Sequence, residues 1–326
     1  MTFLKVMALW TLTTIMTAIN QIKSSGTYVF DKYFKANAEP VLGTTAKLKI
    51  YKGAGIVLET ILPGADRLVR DLKNVYEITI ELPRFGLSDT ILPHEVNQFE
   101  TLQGTAMAEA VSQKIAQILK EHKDDYMTTI EFMATGALFG KVVDGAGKVL
   151  FEFRSAATPI EFKNIELDVS LNKIDEALVD ELGMEVPYEI LCSNDFFNRT
   201  VAKAKAENLF ANNGPAKYID ENGKRVLTIH GKKFIPFRAT YPDENGNKKP
   251  FVEAGKAVVI PMSEKVYKVV YGRADHTQAM KAAPQMFFAA APEELPRGKG
   301  WVLETEVKLI PYCTRPGALI NLQFSA

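Results

Sequence analysis

Four histidines, two cysteines and a few glycine–lysine pairs are the residues of this 326-residue chain whose types could do chemistry. His122 stands beside Glu121 and just ahead of Asp124 and Asp125, a set of types that could ligate a metal. On a helix only His122 and Asp125, three apart, share a face, so the group reads as a solvated helix face. His94, His230 and His276 have no neighbouring acid and nucleophile from which a triad could be built. Lys52-Gly53-Ala54-Gly55 has the glycines of a phosphate loop. No Gly-Lys-Ser/Thr follows it and no helix opens after it, so it reads as a hairpin tip. Gly140-Lys141 and Gly147-Lys148 read as turn and strand residues. Asn198-Arg199-Thr200 has the form of a glycosylation sequon but falls inside a predicted helix. Cys192 and Cys313, far apart and unclustered, suggest neither a disulfide framework nor a zinc site and fit a reducing compartment. The expectation is therefore no catalytic, cofactor-binding or metal site, and no enzyme.

Composition narrows the remaining classes. Lys plus Arg and Asp plus Glu are equal at 39 each, which removes the electrostatic basis for gripping nucleic acid regardless of its sequence. At 47% hydrophobic and 24% charged, the chain can bury a core, and its length suggests two or three domains. Outside the N-terminal run, no stretch approaches a membrane span. The opening MTFLKVMALWTLTTIMTAIN has a lysine ahead of an apolar run, as a signal peptide would. Thr11, Thr13, Thr14 and Thr17 interrupt that run, and Leu4, Met7, Leu12, Ile15, Ile19 and Ile22 recur at mostly three or four residues. The pattern predicts an amphipathic helix that buries one stripe on a partner.

The elements that follow alternate in kind. Residues 23–44 carry an aromatic cluster, Tyr28, Phe30, Tyr33 and Phe34, and read as an extended arm with anchors. TAKLKIY sets Ala46, Leu48 and Ile50 against Lys47, Lys49 and Tyr51, the period of a strand with one solvated face; IVLETIL reads as its return and VYEITIEL as a further strand. Such a hairpin is marginal alone, so Lys47, Lys49 and Lys52, with Arg67 and Arg70 nearby, are expected to meet carboxylates of a neighbouring copy. From Met107, the residues Val111, Ile115, Ile118, Leu119, His122, Tyr126, Ile130, Met133 and Ala137 form one stripe. A helix over 97–139 would be about 60 Å long. It runs into VVDGAGKVLFEF, two short strands around a turn. Beyond lie a short helix, 174–182, closed by Gly183, the buried strand YEILCS, a helix capped by Asn194 or Asp195, and short strands separated by turns, together an α+β region.

The order of parts resembles the lambda-type (capsid protein E family) major capsid proteins of tailed bacteriophages. The likeness is carried by TLTTIMTAINQI with YVFDKYF, by ILPGADRLVRDLKNVYEITIELPRFGLSDTILPHEV, by FMATGALFGKVVDGAGKVLFEF and by EILCSNDFFNRTVAKAK. The resemblance implies an α+β fold of the Hong Kong 97 capsid type. Its parts would be an N-terminal arm at 1–40 and an extended loop at 41–85. A peripheral domain would cover 86–171, with the spine helix at 97–139 and the hairpin at 141–153. An axial domain at 172–300 and return strands at 301–326 would complete the chain. It also implies a major head protein that assembles as hexamers and pentamers, with a scaffolding protein, a portal and a decoration protein, in the host cytoplasm. The resulting virion capsid encloses DNA without reading its sequence. Lys47, Lys49, Lys52, Arg67, Arg70, Leu12, Ile15 and Ile19 are then the candidates for contacts between subunits, and no covalent cross-linking is expected. An encapsulin-like compartment shell shares the implied fold, and a secreted α+β enzyme is the alternative if the N-terminal run were a signal.

Overall fold

The computed structural model describes residues 7, 9–23, 26–52, 75–92, 94–95, 105–152, 158–163, 165–211, 214–221, 223–243, 245–263 and 266–324. Helix α1 (Leu12–Gln21) leads to strands β1 (Ala38–Pro40), β2 (Thr45–Tyr51), β3 (Val75–Glu81) and β4 (Arg84–Ile91). Then come α2 (Thr105–Leu138), β5 (Lys141–Val143), β6 (Val149–Glu152), β7 (Ile160–Glu161), α3 (Leu167–Leu182), β8 (Tyr188–Cys192) and α4 (Asn194–Ala206). The remaining strands are β9 (Ala216–Glu221), β10 (Lys224–Ile229), β11 (Lys232–Pro236), β12 (Thr240–Pro242), β13 (Lys248–Pro250), β14 (Lys256–Pro261), β15 (Tyr267–Tyr271), β16 (Phe288–Ala289), β17 (Glu293–Glu294), β18 (Trp301–Cys313) and β19 (Ile320–Gln323).

The chain divides into two compact units, the first made of Met1–Lys47, Thr79–Glu131 and Lys268–Pro311. Its sheet has the order β1-β15-β18-β16, with β4 and β17 also paired to β18. β4 runs antiparallel to β18 from Ile91 opposite Trp301 to Arg84 opposite Lys308. Gly300, at φ +126°, lets that pair close, since a Cβ there would lie 2.3 Å from the Ile91 carbonyl oxygen. Within this unit the α2 stripe is buried as its spacing predicts: Val111, Ile115, Ile118, Leu119, Tyr126 and Ile130 all lie inside.

Helix α1 forms where the N-terminal periodicity places it. Thr11 caps it, its hydroxyl accepting from the Thr14 N–H at 3.4 Å, and Ile15 and Ile19 are wholly buried. The aromatic segment differs from the extended arm expected. Phe30–Phe34 is a single π-helical turn, followed by a 3-10 turn at Lys35–Asn37. The reason is spacing: Phe30, Tyr33 and Phe34 are all buried, and a helical turn puts all three on one side whereas an extended chain would turn Tyr33 away.

The second unit comprises Leu48–Ile78, Phe132–Tyr267 and Tyr312–Ala326. Seven strands are ordered β7-β19-β14-β8-β11-β10-β9. Alternate residues Tyr188, Ile190 and Cys192 of β8 and Ala257 and Val259 of β14 join one apolar cluster with Leu167, Leu171, Ile174 and Leu178 of α3 and Phe196 of α4. Phe162, Phe196 and Phe324 form a ring triangle with centroids 4.8–5.8 Å apart. Two helix starts differ from expectation. α3 opens at Leu167, not Ile174, because its first N–H is accepted by the Glu207 carboxylate, 40 residues away in sequence. α4 is capped by Ser193, whose hydroxyl accepts from the Phe196 N–H, so Asn194 is already helical.

The helix-to-hairpin junction follows from two glycines and an aspartate. At Gly136 a Cβ would sit 2.6 Å from the Lys141 carbonyl oxygen, so only glycine lets the departing chain pass this close to the helix. Gly140 takes φ +89° just beyond the helix end. β5 and β6 then pair antiparallel around a turn in which Asp144 Oδ1 accepts from the N–H groups of Ala146 and Lys148. The expected helix 97–139 is thus seen as Thr105–Leu138, and residues 96–104 and Phe153 of the hairpin lie outside the described residues. No described helix is long and apolar enough to cross a membrane.

Candidate functional site

Three of the four histidines go to separate places, each against its own acid. His230 Nε2 lies 2.8 Å from Asp168, His276 Nε2 3.6 Å from Glu304, and His122 Nε2 3.4 Å from Asp89. Among the described residues no three His, Cys, Asp or Glu side chains gather as metal ligands. Cys192 and Cys313 are buried, and burial pushes both thiols up, which keeps them from forming thiolates.

The solvated face expected around His122 is instead an inward polar seam. His122 and Lys123 are 5% and 6% exposed, while Asp125 remains at the surface. His122 Nδ1 lies 2.8 Å from Thr305 Oγ1 in β18, and the Tyr126 hydroxyl donates to the Thr305 carbonyl at 2.8 Å. Lys123 Nζ donates to the carbonyls of Ile19 at 2.7 Å, Asn20 at 3.1 Å and Ile22 at 2.8 Å, and lies 4.9 Å from the Phe287 ring centroid. Burial, with a smaller push from Lys35, lowers the pKa of this ammonium. Glu131, 4% exposed, accepts from three consecutive N–H groups: Tyr28 at 3.0 Å, Val29 at 2.8 Å and Phe30 at 2.9 Å. Burial raises its pKa while these three donors pull it back. Every buried polar atom of Lys123 and Glu131 named here is thus matched to backbone. The spacing marks only their face, since Lys123 lies four residues after Leu119 and Glu131 four after Met127, both buried; it carries no sign of their backbone partners.

The outward chemistry lies on the two-stranded ribbon of β2 and β3. β2 alternates as its sequence predicts, with Ala46, Leu48 and Ile50 buried and Lys47, Lys49 and Tyr51 exposed. The return segment expected at 56–62 lies outside the described residues, and the described partner of β2 is β3. None of the seven β3 residues is buried, and Tyr76 is 49% and Ile78 36% exposed. Lys49 Nζ lies 3.6 Å from Glu77, and Lys52 Nζ 5.0 Å from the Tyr76 ring centroid. Arg67 and Arg70 lie outside the described residues. Ile15 and Ile19 spend their apolar surface inside their own chain, so of the N-terminal trio only Leu12, half-buried, still reaches the surface. Among the described residues the ribbon presents a charged sheet edge with Tyr51 and Tyr76 exposed on it.

Comparison with known proteins agrees in kind. A family model described as phage major capsid protein E matches residues 11–324. No curated protein sequence matches the chain. Among solved structures, the proposed capsid protein of a prophage of Escherichia coli CFT073 is similar at a TM-score of 0.58 and 11% identity, over 97% of this chain and 99% of that one. A phage-related protein of Bordetella bronchiseptica RB50 is similar at 0.51 and 11% identity, over 95% of each chain. An encapsulin of Synechococcus elongatus PCC 7942 aligns at 0.49 and 10% identity, over 94% of each chain.

Proposed function

This chain belongs to the phage major capsid protein E family and has the α+β capsid fold of the Hong Kong 97 type, and we propose that its copies assemble as hexamers and pentamers into the icosahedral head shell. It is a structural protein of the virion capsid, not an enzyme. We further propose that assembly takes place in the host cytoplasm with a scaffolding protein, a portal and a decoration protein, and that the shell encloses DNA without reading its sequence. The zero formal net charge supports walls whose copies pack without mutual repulsion. The division into arm (1–40), extended loop (41–85), peripheral domain (86–171), axial domain (172–300) and return strands (301–326) is part of the same reading.

The observation that carries the assembly reading is strand β3, unburied along its whole length and bearing Tyr76 and Ile78 at the surface. An edge of this kind invites pairing or packing with another chain. Lys47, Lys49 and Lys52 would fix register at the junction, each rim pair contributing about 0–1 kcal/mol, with Arg67, Arg70 and Leu12 as further contacts. Tyr76→Asp combined with Ile78→Asp tests this: a soluble subunit with unchanged circular dichroism that no longer forms closed shells supports the proposal, and normal particles overturn it. The compartment-shell alternative shares the fold, but the match to the capsid protein E family favours the phage head.

A further inference from the structure

Lys123 and Glu131 stand eight residues apart on α2, and each side chain makes its hydrogen bonds with backbone groups, with the Phe287 ring also 4.9 Å from the ammonium. The ammonium takes three carbonyls at the C-terminal end of α1, where the helix dipole is negative. The carboxylate takes three N–H groups at the start of the Phe30–Phe34 turn, where it is positive. We propose that Lys123 and Glu131 form a two-point latch that holds residues 12–22 and 28–34 on their own subunit and lets them release as one unit while the rest of the fold stays closed.

Three features favour a latch over ordinary core packing. The six backbone groups involved are held by only two side chains, so losing either takes the side-chain partner from three buried or part-buried groups at once. Undocking returns those same groups to water, where they are satisfied, so release relieves the loss locally. The grip reads backbone and no side chain of the held segment, which makes Lys123 and Glu131 positioning residues. The neighbouring polar contacts of α2, from His122 and Tyr126 to Thr305, reach β18 and not the N-terminal segment. The latch stands on this geometry and does not depend on the shell reading.

Amide hydrogen exchange on the full chain, wild type beside Lys123→Met, Glu131→Gln and Thr305→Val, tests it. The expected result is that either latch variant speeds exchange in 12–22 and 28–34 by about tenfold or more, as loss of three hydrogen bonds implies, with β4 and β18 unchanged. Thr305→Val should speed exchange in β18 and leave the rates in 12–22 and 28–34 unaltered. Faster exchange spread evenly over the first unit in the latch variants, or no change in 12–22 and 28–34, would overturn the latch. Should Lys123→Met fail to fold, Glu131→Gln, nearly isosteric, carries the same comparison.

Discussion

The Tyr126 hydroxyl donates to the Thr305 carbonyl at 2.8 Å and lies 2.9 Å from the Thr305 side-chain oxygen, tying α2 to β18 through one buried contact. Tyr126→Phe keeps the ring and removes the donor, so unfolding in urea should show a loss of about 1–2 kcal/mol with an unchanged denaturant slope. An unchanged midpoint would mean that the hydroxyl contributes nothing net.

The same tyrosine predicts an alkaline limit. Burial pushes its pKa up to about 12, against smaller pulls from Thr305 and the backbone at Leu87. A pKa higher in the folded than in the unfolded chain gives stability that is fully present below about pH 10 and is lost as pH rises through about 12. Burial also raises Tyr188 and Tyr267, in the same direction. Stability measured from pH 9 upward should fall over this window, and Tyr126→Phe should fall less steeply. A parallel fall in the two proteins would remove Tyr126 from the account.

Gly136→Ala sets two effects of opposite sign against each other. Helix propensity alone would favour alanine by about 1 kcal/mol. The Lys141 carbonyl oxygen, 2.6 Å from where the Cβ would sit, requires the hairpin to shift, and the net should be a loss of about 1–3 kcal/mol. Thermal melting decides the sign, and a rise in Tm would show that the junction relaxes freely.

Ile118, 5% exposed, marks the inward face of α2. Ile118→Asp would bury an unpaired charge, costing several kcal/mol and giving insoluble subunits, while Ala116→Asp on the exposed side should be tolerated. A soluble, well-folded Ile118→Asp protein would reverse the assignment of faces.

Local pattern made much of this fold legible. The β2 alternation, the α2 stripe and the Asp144–Lys148 turn are patterns written within short stretches of sequence, and each stands where its spacing puts it. What stayed hidden depends on distant partners. Lys123 resembles a surface lysine until the carbonyls of Ile19 and Ile22, a hundred residues earlier, come to meet it. α3 starts at Leu167 without a capping side chain of its own because Glu207 supplies the acceptor. Ile15 and Ile19 were legible as an apolar stripe, but not as a stripe covered by their own chain.

The measurement that bears most directly on the central claim is electron microscopy of the purified chain, paired with sedimentation over a range of concentrations. The account predicts capsomer-sized rings and closed shells of uniform diameter, with the β2–β3 ribbon at the junctions between copies. A single-chain species at every concentration, with Tyr76 and Ile78 still exposed to solvent, would contradict it.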